Sequence, residues 1–241
     1  MAIVANIATF PGRIDQCAIA IKSMAHQVDI INVVLNEYVF VPGHLKGIER
    51  TNFIFPPQDL KDVGKFYPNF DDEDDIFLCD DDIVYPSNYV AVMMEHRAKL
   101  NDLNPILGLH GGIYSDYYDG KHRSGRLVDV FTNALDRSRV VNQLGTGTVY
   151  CKGWQMPTFE FMMGSERFVD VRFAIHAYEK NYPSICISRE KGWLQQLEIN
   201  NSIYESFTAS SPINVIREIQ RIAGFSKLDG IIVRKVEELN E

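Results

Sequence analysis

The segment from residue 2 to residue 35 most constrains the fold of this chain. An apolar run at residues 2–9 stops at Phe10-Pro11-Gly12 and predicts a buried strand followed by a turn. Apolar residues then recur at helical spacing from Ile14 to Met24, and a second apolar run occupies residues 29–35. Strand, helix and strand in this order predict a parallel β-α-β unit, the start of a Rossmann-like sheet.

The remaining segments continue the α/β pattern. Further strands are predicted at residues 52–55, 76–79, 106–109, 127–132, 145–151 and 184–188. Helices are predicted at residues 89–100, opened by Pro86, at a segment capped by Ser165 with an apolar face from Val171 to Tyr178, and at residues 212–222. Residues 56–75 and 111–126 predict loops because they are rich in polar and turn residues. Since no repeat or linker divides the chain, we expect one domain over residues 1–241.

Charge and cysteine usage argue against several classes of function. The 241 residues carry a formal net charge of −8, whereas binding to a nucleic-acid duplex needs a basic surface. The four cysteines form no CxxC pair, which argues against a zinc or redox motif. With neither a signal-peptide pattern nor a membrane-length apolar run, we expect a cytoplasmic protein without a transmembrane segment. Peripheral association with a membrane stays open.

Three consecutive aspartates form the strongest chemical signal. Asp80, Asp81 and Asp82 follow the apolar segment Phe77-Leu78-Cys79, and carboxylates this close repel one another unless a cation is present. In extended geometry Asp80 and Asp82 point to one side, where they can hold Mn²⁺ or Mg²⁺ and leave coordination positions for diphosphate oxygens. The alternative is a solvated acidic turn, which is our interpretation of residues 71–75.

The order of motifs resembles that of GT-A glycosyltransferases, particularly the bacterial family 2-like enzymes of surface polysaccharide synthesis. The likeness covers about residues 1–200. It is carried by Ile7-Ala8-Thr9-Phe10-Pro11-Gly12-Arg13, Gly64-Lys65-Phe66-Tyr67-Pro68, residues 80–86, and Phe168-Val169-Asp170-Val171 with the later Gly192-Trp193-Leu194. The chain lacks the Gln-x-x-Arg-Trp motif of processive members, and Asn36-Glu37-Tyr38 replaces the usual Asp-Gly-Ser after the second strand.

This resemblance implies a GT-A fold, with a Rossmann-like nucleotide-binding half and a mixed central sheet flanked by helices. It divides the domain into a nucleotide-sugar-binding half, residues 1–110, and an acceptor-side half, residues 111–241, with a closing segment from about residue 189 to residue 211. The implied activity is a metal-dependent, inverting and non-processive transfer of a sugar from a nucleotide-sugar donor to a saccharide or glycolipid acceptor.

The resemblance also gives roles to individual residues. Asp82 and Asp80 are the expected metal ligands, and Asp170 is the expected catalytic base. The residues expected around the donor are Thr9, Arg13, Asn36, Lys65, Asp80, Asp81, Arg189 and Trp193. Lys65 or Arg189 would neutralise the leaving nucleoside diphosphate.

Plainer interpretations exist for the same residues. Arg13 can be an ordinary first-turn helix residue, Lys65 a surface lysine, and Trp193 a buried side chain. Asp170 can merely complement a helix N-terminus. His110, after a predicted strand, can be a structural histidine or can reach the sugar.

Two other functions remain open for the whole protein. A non-catalytic nucleotide-sugar or metal-binding subunit would need the aspartates but no base. A phosphatase of the haloacid-dehalogenase type would use the first aspartate as its nucleophile, although the later acidic and lysine motifs of those enzymes are missing from this chain.

Overall fold

The computed structural model describes residues 1–120, 125–198, 213–224 and 227–240. The strands, in chain order, are β1 (Ile3–Thr9), β2 (Ile30–Leu35), β3 (Thr51–Ile54), β4 (Asp75–Cys79), β5 (Ile83–Val84), β6 (Ile106–Gly108), β7 (Gly111–Tyr114), β8 (Arg126–Asp129), β9 (Arg139–Val140), β10 (Gln143–Leu144), β11 (Thr148–Lys152), β12 (Ser184–Cys186) and β13 (Gln195–Gln196). The α-helices are α1 (Ile14–Met24), α2 (Tyr89–Lys99), α3 (Phe159–Met162), α4 (Val169–Glu179), α5 (Ile213–Ile222) and α6 (Gly230–Glu238). Short 3₁₀ helices occupy Pro11–Arg13, Lys61–Phe66, Asn101–Leu103 and Gly153–Gln155.

The predicted β-α-β unit is confirmed. Strand β1 pairs in parallel with β2 on one side and with β4 on the other, and β3 extends the parallel part beyond β2. Helix α1 connects β1 to β2 and buries Cys17, Ile21 and Met24 completely in the core beneath the sheet. The carboxyl ends of β1 and β4 therefore lie side by side at one edge of the sheet, the position where α/β proteins usually bind ligands.

The second part of the chain completes a mixed sheet of eight strands in the order β3-β2-β1-β4-β11-β6-β12-β9. Strand β11 runs antiparallel to both β4 and β6, with Thr148 opposite Cys79. The order interleaves the two predicted halves, because β11 comes from residues 111–241 while its neighbours β4 and β6 come from residues 1–110. The sheet is flanked by helices, so the α/β class and its compatibility with a Rossmann-like fold are confirmed.

Residues 56–75 were predicted as a loop, and this prediction is wrong in two places. The 3₁₀ helix Lys61–Phe66 packs closely on the sheet, because a Cβ at Gly64 would lie only 3.2 Å from the Cβ of Ala8. The acidic stretch at residues 71–75 is also not a solvated loop throughout. Asp75 is the buried first residue of β4, where its carboxylate accepts a hydrogen bond from the Tyr150 hydroxyl at 2.6 Å and pairs with Lys152 at 2.8 Å.

Three further local predictions need correction. Residues 111–126 contain β7 and the start of β8, which pair antiparallel, and residues 121–124 lie outside the described ranges. Helix α2 begins at Tyr89 as predicted, but Pro86 lies three residues before it instead of in its first turn, and the Pro86 carbonyl accepts a hydrogen bond from the Tyr89 amide. Ser165 does not cap α4, because its hydroxyl donates to the Met162 carbonyl instead.

The described helices are short, and the longest of them have 11 residues. None of those within the described ranges is both long enough and apolar enough to cross a membrane.

Candidate functional site

The three aspartates follow directly on β4, but they do not continue its extended geometry. The strand ends at Cys79, and Asp81 and Asp82 form a turn before β5. Nη1 of Arg13 donates to Asp81 Oδ1 at 3.1 Å and to Asp82 Oδ2 at 2.7 Å. The prediction that Asp81 turns away from its neighbours is therefore wrong, because alternation of side chains needs a strand and the strand has already ended.

Asp80 has a cation of its own. Its Oδ1 forms an ion pair with Nζ of Lys65, whose side chain is 4% exposed, whereas the side chain of Asp80 is 43% exposed. Lys65 is thus a buried residue rather than a surface lysine, and its charge is directed at the aspartates. The exposed part of Asp80 leaves this carboxylate accessible to a ligand.

Asn36 contacts the backbone at the start of the 3₁₀ helix that carries Lys65. Its side-chain oxygen accepts a hydrogen bond from the Leu60 amide at 2.9 Å, and its side-chain nitrogen donates to the Lys61 carbonyl at 3.0 Å. These bonds fix the start of the 3₁₀ helix that carries Lys65. Asn36 therefore positions Lys65, and its contact with a nucleotide stays a prediction.

Asp170 lies in the first turn of α4 and faces the same region. One of its carboxylate oxygens, Oδ1, accepts hydrogen bonds from the Thr146 amide at 2.8 Å and from the Thr146 hydroxyl at 2.6 Å. The other oxygen, Oδ2, makes no hydrogen bond within the described residues. The carboxylate is close enough to Lys65 and His110 to act electrostatically on both. The structure therefore brings Asp170 to the aspartates, as the resemblance implied.

The turn before β11 joins these parts. The hydroxyl of Tyr85 accepts a hydrogen bond from the Asp80 amide at 2.9 Å and donates to the Gly147 carbonyl at 2.7 Å. On the other side of the turn, the Gly145 amide donates to the His110 carbonyl at 2.8 Å. Backbone contacts thus hold the aspartates, His110 and the turn of residues 145–147 together.

Acidic groups outnumber basic ones in this region. What we call the carboxylate cluster contains five carboxylates and two cationic side chains, which are Asp62, Asp80, Asp81, Asp82, Asp170, Arg13 and Lys65. Burial raises the pKa of Asp81 to about 7, although the Arg13 guanidinium opposes the shift. Burial also raises the pKa of Asp62 to about 6. The charged forms of these two acids are therefore disfavoured by burial, and a bound cation would favour them.

The pKa values of two basic side chains near the cluster, Lys65 and His110, shift in opposite directions. Burial alone would lower the pKa of Lys65, but the carboxylates of Asp80, Asp170 and Asp62 raise it above the usual value, so this amine stays charged. Burial lowers the pKa of His110 below its usual range, and Arg126 and Arg189 add to this effect against the opposing charge of Asp170. The imidazole of His110 is therefore neutral near pH 7.

Two buried polar groups lie at the end of β1 and β2. The Thr9 hydroxyl lies against Asp81 and Cys17, whereas the Tyr38 hydroxyl, also close to Asp81, has no hydrogen-bond partner among the described residues. A buried hydroxyl without a partner costs free energy unless a ligand or water supplies one. Thr9 and Tyr38 therefore lie beside Asp81, and the contact of Thr9 with a donor stays a prediction.

Arg189 does not serve the site in the predicted way. Its guanidinium is buried and donates to the backbone carbonyls of Phe131, Val130 and Ile187. These bonds tie the segment before β9 to the end of β12. We therefore correct its role from neutralising a leaving group to stabilising the backbone.

Trp193 is also mainly structural. Its ring packs on Tyr89 with centroids 5.9 Å apart, and its indole nitrogen donates to Asn88 at 3.2 Å. The predicted stacking of Trp193 on a sugar has no support in these contacts.

The predicted closing segment is partly described. Strand β13 pairs antiparallel with β5, and the Leu197 amide donates to the Asp82 carbonyl at 2.7 Å. The chain therefore passes directly beside the aspartates as far as residue 198. Residues 199–211 of the predicted segment lie outside the described residues.

The described part of the chain holds no set of three His, Cys, Asp or Glu side chains arranged around a common metal position. Two carboxylates are nevertheless suitable for a hard divalent ion that takes its other ligands from a diphosphate and water. These are Asp80, which is partly exposed, and Asp82, on which the charge of Asp80 acts more strongly than that of Arg13. The excess of carboxylates over cations and this donor pair fit a divalent cation bound together with a substrate.

Sequence reasoning missed several members of the site. Asp62 lies in a stretch predicted as a loop, and nothing in its sequence context indicated that it would face Lys65. Thr146 and Gly147 belong to Gly145-Thr146-Gly147-Thr148, which was predicted only as the start of a strand. Two glycines in four residues were the available signal for a close backbone approach.

We expect Gly147→Ala to disturb the metal-binding carboxylates without unfolding the protein. A Cβ at residue 147 would lie 2.0 Å from Asp80 Oδ2, so the Asp80 carboxylate must rotate away from Lys65. Affinity for Mn²⁺ with a nucleoside diphosphate should fall about tenfold or more in calorimetric titrations. Gly43→Ala is the matched control, because a Cβ there meets nothing within 4 Å. Equal affinities for the two variants would contradict this geometry.

Comparison with known proteins adds no assignment. No protein-family model matches the chain, and no curated protein matches it.

Proposed function

We propose that this protein is a glycosyltransferase that moves a sugar from a nucleotide-sugar donor to a saccharide or glycolipid acceptor. One observation carries the proposal. At the carboxyl ends of the parallel strands β1 and β4, the three aspartates lie with Arg13, Lys65 and Asp170 in one cluster. Cations suit a diphosphate, carboxylates suit a metal ion, and a separate carboxylate suits an acceptor hydroxyl. The GT-A assignment made from the motifs belongs to the same proposal.

The residues present fit a divalent ion, Mn²⁺ or Mg²⁺. Asp80 and Asp82 would hold it, and the excess of carboxylates over cations around them favours its binding. When bound, such an ion would neutralise the charge that develops on the departing diphosphate.

The chain's own residues account for the rest of the transfer. The bond between the anomeric carbon and the diphosphate oxygen breaks, and its electron pair stays on the diphosphate, next to the charges of Lys65 and Arg13. The acceptor oxygen forms the new bond to the anomeric carbon while its proton passes to Oδ2 of Asp170. The two hydrogen bonds from Thr146 to Oδ1 keep this carboxylate oriented. Direct displacement of this kind inverts the anomeric centre.

A thermal-shift assay tests the donor site. We expect Mn²⁺ and a nucleoside diphosphate together to raise the melting temperature by about 5 °C or more at about a hundred times Kd, and either alone to raise it much less. The reason is that two carboxylates leave the ion unsaturated, and the diphosphate completes its ligands. A panel of nucleoside diphosphates would identify the base.

The same assay separates the other candidate functions. If the pair of ligands gives no more stabilisation than the better single ligand, the donor-site proposal is wrong. If the pair binds but nucleotide sugars are never consumed with any saccharide acceptor, a binding subunit explains the site better. Release of inorganic phosphate from phosphomonoesters would instead favour the phosphatase alternative.

A further inference from the structure

The contact between Arg13 and the aspartates has an unusual form. A single nitrogen, Nη1, bridges the two carboxylates, at 3.1 Å from Asp81 Oδ1 and 2.7 Å from Asp82 Oδ2. An arginine that only stabilises one carboxylate commonly uses two nitrogens in parallel. Here the guanidinium instead lies between two acids that would otherwise repel each other, in the place that a small cation could take.

The rest of the guanidinium is uncommitted. Nε and Nη2 of Arg13 donate no hydrogen bond within residues 1–120, 125–198, 213–224 and 227–240. The ring of Phe10 lies 5.8 Å from the guanidinium carbon and supports it through a cation–π contact. The backbone fixes the base of the side chain, because Arg13 ends the 3₁₀ turn that precedes α1 and its amide donates to the Phe10 carbonyl. The side chain is therefore held at its base while its head keeps three free N–H donors.

Lys65, the second cation of the carboxylate cluster, does not bridge two carboxylates within the described residues. Among the described residues, Lys65 forms its ion pair with Oδ1 of Asp80, so Oδ2 of this carboxylate can take a metal ion while the pair with Lys65 persists. Asp82 differs because the nitrogen that holds its Oδ2 also holds Asp81 Oδ1, so a metal ion at Asp82 disturbs a contact that two carboxylates share. A metal ion that approaches Asp82 meets the positive charge of Arg13 at close range, and the two cations repel each other.

We propose that Arg13 is an internal counter-ion that occupies the metal-binding carboxylates in the donor-free protein and transfers its guanidinium to the donor's diphosphate when the metal ion binds. This inference rests on the proposed function and adds a binding order to it. The metal ion alone binds weakly because it must displace Arg13. A diphosphate that arrives with the metal ion gives the displaced guanidinium a new anionic partner, so the two ligands bind as a pair. Coupling of this kind is reciprocal, so the metal ion raises diphosphate affinity by the same factor.

Calorimetric titration with Mn²⁺ alone, inorganic pyrophosphate alone, and both together tests the inference without any turnover. For the wild type we expect weak Mn²⁺ binding and at least about tenfold tighter binding when pyrophosphate is present. For Arg13→Gln we expect Mn²⁺ alone to bind about tenfold more tightly than to the wild type. The pyrophosphate enhancement should largely disappear, because no guanidinium remains to be exchanged.

A matched control removes the cationic partner of a buried aspartate that lies away from the carboxylate cluster. Lys152 pairs at 2.8 Å with Asp75, at the opposite end of β4 from the cluster. Lys152→Gln should leave both the Mn²⁺ affinity and the pyrophosphate enhancement at wild-type values. If Arg13→Gln fails to fold, as judged by circular dichroism, Arg13→Lys decides, because a single ammonium group keeps the charge but offers no fork for exchange. This variant should keep weak Mn²⁺ binding and lose most of the enhancement.

The outcomes distinguish a failure of the guanidinium exchange from a failure of the donor site. Cooperative binding of Mn²⁺ and pyrophosphate to the wild type, with Arg13→Gln no tighter for Mn²⁺ alone, would overturn the exchange and leave the donor site standing. An unchanged enhancement in Arg13→Lys would also overturn it. If no protein binds Mn²⁺ and pyrophosphate in any combination, the donor site itself is wrong and the exchange falls with it.

Discussion

Asp170→Asn should lower the rate of sugar transfer by about two to four orders of magnitude while donor and metal affinity stay within a few fold of the wild type. The amide keeps the shape of the side chain and can still accept hydrogen bonds from Thr146 through its oxygen. It cannot take a proton from the acceptor hydroxyl. Single-turnover rates with the nucleotide sugar identified by the thermal-shift panel would measure the loss.

The comparison variant for this test is Thr146→Val. It removes the hydroxyl that donates to Asp170 at 2.6 Å but leaves the backbone donor at 2.8 Å. We expect a much smaller loss of rate, about tenfold, because the carboxylate remains and only its orientation is less fixed. If Asp170→Asn transfers sugar within about tenfold of the wild-type rate, this residue only complements the start of α4.

Asp82→Asn should weaken Mn²⁺-dependent binding of a nucleoside diphosphate by about a hundredfold or more, a loss of about 2.7 kcal/mol. The charge of Asp80 acts on Asp82, and these two carboxylates are the ones proposed to hold a divalent ion. An amide at residue 82 removes half of that pair. Titration of the nucleoside diphosphate at saturating Mn²⁺ measures the change.

Asp81→Asn is the natural control, since it makes the same carboxylate-to-amide change at the neighbouring residue. Asp81 is surrounded mainly by Arg13 and Thr9, and the charge of Asp80 acts on it least among these neighbours. We therefore expect less than about a tenfold loss of affinity. Side-chain alternation would give the same order of Asp82 above Asp81, but the turn at these residues removes that argument. Equal losses for the two variants would show that all three carboxylates act as a single unit.

Much of the first half of the fold could be predicted because its signals are local. The apolar run of β1 and the helical spacing of α1 both depend on nearest neighbours in the sequence, and both were predicted correctly. The 3₁₀ helix that carries Lys65 was missed because it is held by Asn36, whose bonds come from a distant part of the chain. Similarly, Asp75 is in a strand because Tyr150 and Lys152 neutralise it, and no local pattern indicates that.

In the candidate site, too, local features could be predicted and contacts between distant parts of the chain could not. That Asp80, Asp81 and Asp82 lie at the end of a buried strand followed from the sequence alone, and the structure agrees. The direction in which each carboxylate points did not follow, since it depends on where the strand ends and on Arg13. Arg189 was misjudged for a related reason, because the carbonyls that it binds come from a loop about sixty residues away in sequence.

The interleaved strand order affects how the protein folds during its synthesis on the ribosome. When the first half of the chain has been synthesised, β4 has a partner only on the β1 side, because its other neighbour, β11, comes much later in the sequence. A nascent chain thus carries an open sheet edge, which favours association with other chains and with chaperones. The same strand brings Gly147 and Thr146 against the aspartates, so the edge closes and the site forms in one event. A truncated chain that stops before β11 would therefore be prone to association with other chains and would lack a complete candidate site.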